Sequence, residues 1–236
     1  MTEPTPAAPP LLLAEDLLLL LLDDDVGTLR QTNLQPLLGG AVLAELALLG
    51  AVEVGEKQAF WQTARVRPVP GQRPADPVLA DAHDVVAEKP RTAQDLATRL
   101  GKPLKARLTD RLVARGVLRR EDHRVLGLFP SARWPAEDSR HEDEVRRRLA
   151  DVLLRGFSPD PRTVALVALL SAVDQVHKVV PGEGLGGREV RKRAKQLVAD
   201  MDEGEWVAKA VRDAVRAATT AVTAGVVAGS SGDGSS

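Results

Sequence analysis

Cysteine and tyrosine are both absent from these 236 residues, and aromatic residues make up only 3% of them. Without cysteine there is no disulfide framework, no thiol nucleophile and no thiolate metal site. So few aromatics argue against a stacking platform for single-stranded nucleic acid and against an aromatic-girdled barrel. No long apolar run is present either. The greasiest stretch, Leu11 to Leu22, is interrupted by Glu15 and Asp16 and ends in Asp23-Asp24-Asp25. It is well short of the ~20 residues that cross a bilayer, and reads as a buried helix or strand. Met1 to Pro10 holds four prolines and no basic residue, unlike a secretory signal. The expectation is a cytoplasmic protein.

What is present suffices for a core: 44% of residues are hydrophobic, in a chain long enough for one good-sized domain. Residues 1–10 and the Gly/Ser-rich 228–236 read as tails. Between them, 11–227 reads as one globular domain, mainly α, with two short β-hairpins. Leu34, Leu37, Leu38, Val42, Leu46 and Leu49 recur every three or four residues, which predicts an amphipathic helix ended by Gly50. Gly39-Gly40 in mid-helix costs about 1 kcal/mol per glycine relative to alanine, which suggests close packing there. A first hairpin is expected from Ala51–Val54 and Ala59–Val66. A helix opening at Pro77 follows, then leucines at 96, 100, 104, 108 and 112 behind a Thr92–Asp95 cap. The second hairpin pairs Val117-Leu118 with Val125–Phe129 around a charged turn. Further helices are expected over Glu142–Leu154, Arg162–Val180 (the most apolar and the expected centre), a basic stretch around Val190–Val198, and Trp206 to about Val222.

The net charge is −1, yet Lys89 to Arg124 alone carries +7, leaving −8 elsewhere. A basic block on an acidic chain implies an anionic partner, although a solvated arginine-rich face has the same composition. Two partners fit. Helices at Thr92–Leu100 and Pro103–Arg115 followed by a hairpin have the order of a winged helix, which would bring Lys102, Lys105, Arg107 and Arg111 to DNA phosphates. Alternatively, lipid headgroups meet the basic side chains while an apolar hairpin tip enters the interface.

No reaction chemistry is legible. His141-Glu142 is not continued by a second histidine, because position 145 is Val145. The glycines at 182, 184, 186 and 187 lack the lysine and hydroxyl of a phosphate loop, and no serine has a nucleophile-elbow context. No enzyme activity, metal or cofactor is expected, and Asp23 to Asp25 reads as a solvated turn.

The strings LLLAEDLLLLLLDDDVGTL (from Leu11) and LLGGAVLAELALLGAVEV (from Leu37) resemble the opening of the Golgi phosphoprotein 3 family. The likeness continues through LTDRLVARGVLRRED, VLGLFP, HEDEVRRRLADVLL and RTVALVALLSAVDQVHKVV, about Leu11 to Val222. The resemblance, to a bacterial-type member, implies a core helix bundle ringed by amphipathic helices. It also implies a peripheral membrane protein that binds phosphatidylinositol 4-phosphate and can act as an adaptor for a membrane-protein client. The family pocket uses a tryptophan, an arginine on the glycine-containing helix and two arginines three residues apart. Those two fall on Lys102 and Lys105, the helix arginine on Gly39, and the tryptophan near Arg30. Lys102, Lys105 and Arg30 are therefore the expected headgroup contacts, and Leu126, Leu128 and Phe129 the inserting hairpin residues. The expected partner is an anionic phospholipid or phosphoinositide surface, reversibly engaged. DNA binding by a winged helix, or a protein–protein module without lipid, remains the alternative.

Overall fold

A segment whose side chains are apolar on every side can only be satisfied inside the protein. The leucine string does this as helix α1 (Leu13–Leu21), every residue of which is buried. The computed structural model describes residues 9–22, 34–55, 64–125, 129–180 and 185–203, with 212, 215, 216, 219 and 220 beyond them. Helix α2 (Leu34–Leu48) is buried on almost all sides. The amphipathic helix expected here is in fact the centre of the fold, packed on α1, α3 (Pro77–Glu88), α4 (Ala93–Ala114) and α6 (Pro161–Ala172). Gly50 ends the segment with φ +66°, and Leu49 is left 54% exposed instead of joining the core.

Helix α4 is a single 22-residue helix that runs through Pro103. The two helices of the winged-helix reading are therefore one. Leu96, Leu100, Leu104, Leu108 and Leu112, spaced every four residues, keep one buried seam across the proline. Pro103 itself is exposed, so the hydrogen bond it denies the Arg99 carbonyl is lost on the solvent side.

The seam is set by how closely α2 and α4 approach. A methyl group added at Gly39 would overlap the Ala97 carbonyl, and one added at Gly101 would overlap the carbonyl of Gln35. The helices cross backbone to backbone, which is the use the mid-helix glycine suggested.

Strands β1 (Val52–Val54) and β2 (Arg65–Pro68) pair antiparallel, Val54 opposite Val66; the second strand runs on through Pro68, later than the expected Ala59–Val66, of which 59–63 lie outside the described residues. A two-residue strand β3 (Arg91–Thr92), too short for an alternation signal, adds to β2. Thr92 Oγ1 accepts from the Asp95 amide at 3.2 Å, so the expected cap is present. In the second hairpin, β4 (Glu121–Val125) pairs with β5 (Phe129–Arg133), Val125 opposite Phe129. This differs from the expected register. The charged stretch forms most of the first strand, and Phe129 opens the second. Main-chain bonds from Arg119 to Pro135 and from Glu137 to Val117 close the base of the ribbon.

Helix α5 (Arg140–Arg155) ends at Gly156 in the left-handed region. The long apolar helix expected over 162–180 is two pieces, α6 and the short α7 (Val176–Val179). The chain breaks at Asp174, whose φ of +53° leaves the helical basin. Helix α8 (Gly187–Glu203) packs on α5, α6 and α7. Most of the helix expected from Trp206 lies outside the described residues, although the five described between 212 and 220 are helical.

Three carboxylates are buried around the start of α1: Glu15, Asp16 and Glu45. Glu15 accepts from the Leu12 amide at 2.7 Å, and its other oxygen is 2.9 Å from Arg111 Nε. Arg111 also reaches Asp76 at 2.6 Å, and Asp76 caps α3 through the Val78 amide. Arg162 bonds Asp16 at 2.9 Å, Glu45, and the Leu11 carbonyl at 2.7 Å. His141 Nε2 is 2.7 Å from Asp16, and Glu45 also takes the Leu13 amide. One end of α1 is thereby tied to α2, α4, α5 and α6. Burial pushes the Glu15 and Glu45 carboxyls above the usual range, against the pull of nearby amides and of Arg111 or Arg162. With folded pKa values above unfolded ones, the stability these two contribute is greatest below the unfolded pKa and falls as pH rises through the folded values.

Two outcomes follow from this packing. Gly101→Ala, which would gain helix propensity at an exposed site, should destabilise by about 1–3 kcal/mol in urea unfolding because the helices must separate. Arg162→Ala should cost about 3–5 kcal/mol at pH 7, since it leaves Glu45 as an uncompensated buried charge and removes one of the two side chains that bind Asp16. The loss should shrink as pH falls, because Glu45, whose carboxyl burial already holds above the usual range, takes up a proton instead; a pH-independent loss would mean that charge is not its cause.

Candidate functional site

Five arginines of the basic block are already matched by carboxylates inside the molecule. Arg91 pairs with Glu88 at 2.8 Å, Arg99 with Asp95 at 3.1 Å, and Arg107 with Asp81 at 2.7 Å. Arg111 is held by Glu15 and Asp76, and Arg119 by Glu121 at 2.6 Å. Along α4, Lys102 and Lys105 are the cations with no carboxylate within 4.0 Å among the described residues. Both are exposed. A spacing of three makes them neighbours on the helix surface.

Their position is set from beneath. Lys102 directly follows Gly101, the point of closest approach to α2, so the pair stands at the rim of that crossing. Two like charges three residues apart cost a few tenths of a kcal/mol. The cost is offset on one side, where Lys105 Nζ lies 5.4 Å from the ring centroid of Trp134. An exposed contact of this kind contributes about 0.5–1 kcal/mol. Trp134 immediately follows β5, so the same contact brings the root of the second hairpin against the lysine pair.

Of the expected site residues, the structure brings Lys102 and Lys105 together. Arg30, Leu126 and Leu128 lie outside the described residues. Phe129 is described through its backbone alone, as the first residue of β5. Gly39, where the family's helix arginine falls, is buried beneath the Ala97 carbonyl, so a side chain has no room in this packing. Sequence reasoning missed Trp134 as a member of the site. The available signal was a lone tryptophan just before Pro135 at the end of the ribbon; its partner on α4 could come only from tertiary packing. Arg107 and Arg111, expected at DNA phosphates in the winged-helix reading, are instead paired with Asp81 and with Glu15 and Asp76, and the parts of His141 and Arg162 in binding buried carboxylates were not foreseen.

Chemically, the arrangement offers two mobile ammonium donors and one aromatic face on an open surface. Lysine binds phosphate as a point charge, without the planar fork with which arginine grips two oxygens. Among the described residues, no group of three or more histidine, aspartate or glutamate side chains is placed to hold a metal ion. No described helix is long and apolar enough to cross a membrane.

No curated protein matches the chain. The family model described as Golgi phosphoprotein 3 (GPP34) matches residues 13–218, starting at the leucine helix that carries the buried charges. With most of the chain matched in this way, and a helical architecture around a buried leucine helix, the protein belongs to the Golgi phosphoprotein 3 family.

Proposed function

We propose that this protein docks reversibly on anionic membrane surfaces, with Lys102 and Lys105 contacting headgroup phosphates and the adjacent hairpin entering the interface. The observation that carries the reading is the separation of charges on α4: its arginines are matched by carboxylates, while these two exposed lysines are left for an external anion. Family membership supports a lipid ligand and suggests phosphatidylinositol 4-phosphate as the headgroup, with a membrane-protein client as a further partner. Arg30 is the third expected cation, and Leu126, Leu128 and Phe129 the inserting side chains. The role is binding, in the cytoplasm, with no catalytic step.

Magnitudes favour transient attachment. Each cation near an anionic leaflet contributes about 1 kcal/mol, and burying one leucine or phenylalanine about 1.5–3 kcal/mol. Such sums permit exchange on and off the surface and fall short of an anchor. The electrostatic part is screened within about 10 Å at 0.1 M salt.

The test is co-sedimentation with phosphatidylcholine vesicles alone, with added phosphatidylserine, or with added phosphatidylinositol 4-phosphate. A duplex DNA shift at the same salt runs beside it. Binding should require an anionic lipid and weaken with salt. The double change Lys102→Glu/Lys105→Glu should lower partitioning by about thirtyfold, the equivalent of ~2 kcal/mol. Unchanged sedimentation of that variant overturns the assignment. A DNA shift in place of vesicle binding favours nucleic acid, and binding to neither favours a protein–protein module.

A further inference from the structure

Trp134 is held in place more firmly than the lysine beside it. It precedes Pro135, and the residue before a proline is confined to extended backbone. On one side of it Arg133 pairs with Glu121 across the ribbon; on the other, the Arg119 amide donates to the Pro135 carbonyl at 3.0 Å. The indole is half-buried and packs in part on the hydrophobic core. Lys105, by contrast, is exposed, and carries its ammonium on a flexible four-carbon stem to 5.4 Å from the ring centroid. The contact therefore restrains the lysine against a fixed ring. Less rotamer freedom is left to lose when Lys105 meets an anion.

An indole has a large apolar body and a polar edge, which suits it to the layer where headgroups meet acyl chains. Here the ring touches one of the two unmatched lysines and directly follows β5, in the ribbon that the docking reading brings to the bilayer. An inorganic phosphate ion would meet only the ammonium groups. A cation stacked on an indole offers a charge for a phosphate and an apolar surface for the layer beneath it. We infer that Trp134 is an interfacial anchor of the α4 docking surface: its ring enters the glycerol region of an anionic phospholipid layer while it steadies Lys105 against the headgroup phosphate. This rests on the α4 docking site proposed above and deepens it, by committing the site to a bilayer rather than to a free phosphate. The lysine share of binding is then screened by salt, and the indole share is not.

The experiment uses the full chain with Trp61→Phe and Trp206→Phe, which leaves Trp134 as the sole tryptophan. The vesicles are phosphatidylcholine–phosphatidylserine, with the phosphatidylcholine unmodified or brominated at a shallow or a deep acyl position. Bromine quenches tryptophan fluorescence at contact distance. Binding should shift the emission to shorter wavelength, and shallow bromines should quench it more than deep ones. In the otherwise natural sequence, Trp134→Ala should lower sedimentation by about tenfold at every salt concentration without changing the salt slope, and Trp134→Phe should restore part of the loss. Lys102→Glu/Lys105→Glu should instead flatten the slope. Thermal unfolding checks that each variant folds, and either readout decides alone where the other's variant does not. Sedimentation without quenching, or a folded Trp134→Ala variant that sediments as the wild type does, overturns the anchor and leaves the lysines standing. A wild type that does not sediment overturns both.

Discussion

The contact between the backbones of α2 and α4 fixes more of this molecule than any other. Gly39, Ala97 and Gly101 meet with no side chain between them, so neither helix can slide or rotate without a steric clash. Once that crossing is set, the leucines of α4 have one direction in which to be buried, and Lys102 and Lys105 have one rim on which to stand. The position of the exposed charge is thus decided in the interior.

The buried ion pairs act as a second filter. Glu15, Asp16 and Glu45 are costly to bury, and Arg111, Arg162 and His141 are drawn inward to meet them. What reaches the surface unmatched is therefore a remainder. The fold spends its arginines, with their directional forks, on its own carboxylates, and leaves lysines outside on α4. On α8 the sorting is partial: Arg191 and Arg193 are held by the body while Lys192, Lys195 and one arginine, Arg188, face solvent.

Several parts of the structure were legible in the sequence, because local rules decide them. Four-residue leucine spacing marked α4, Gly50 marked the end of α2, and Thr92 marked a cap. The family likeness gave the helical architecture and the family itself. Long-range facts were harder to see. Nothing local distinguishes Arg107, paired with Asp81, from Lys102, paired with none, so the +7 block overstated the charge available to a partner. Pro103 suggested a helix boundary by a rule that holds on average, and continuous burial of the leucine seam overrode it. The hairpin register was misplaced because the charged residues suited a turn, whereas strand pairing put them on the ribbon. Trp134 joined Lys105 through packing that no sequence window spans.

The α2–α4 crossing also divides α4 lengthwise into two regions under different demands. On the inner one, a single added methyl is intolerable, so evolution there has almost no freedom. On the outer one, Lys102 and Pro103 within one turn of the same glycine are exposed, and exchange there leaves the crossing untouched. A protein built this way can retune what it adheres to by surface substitution alone, keeping its shape while its ligand preference drifts.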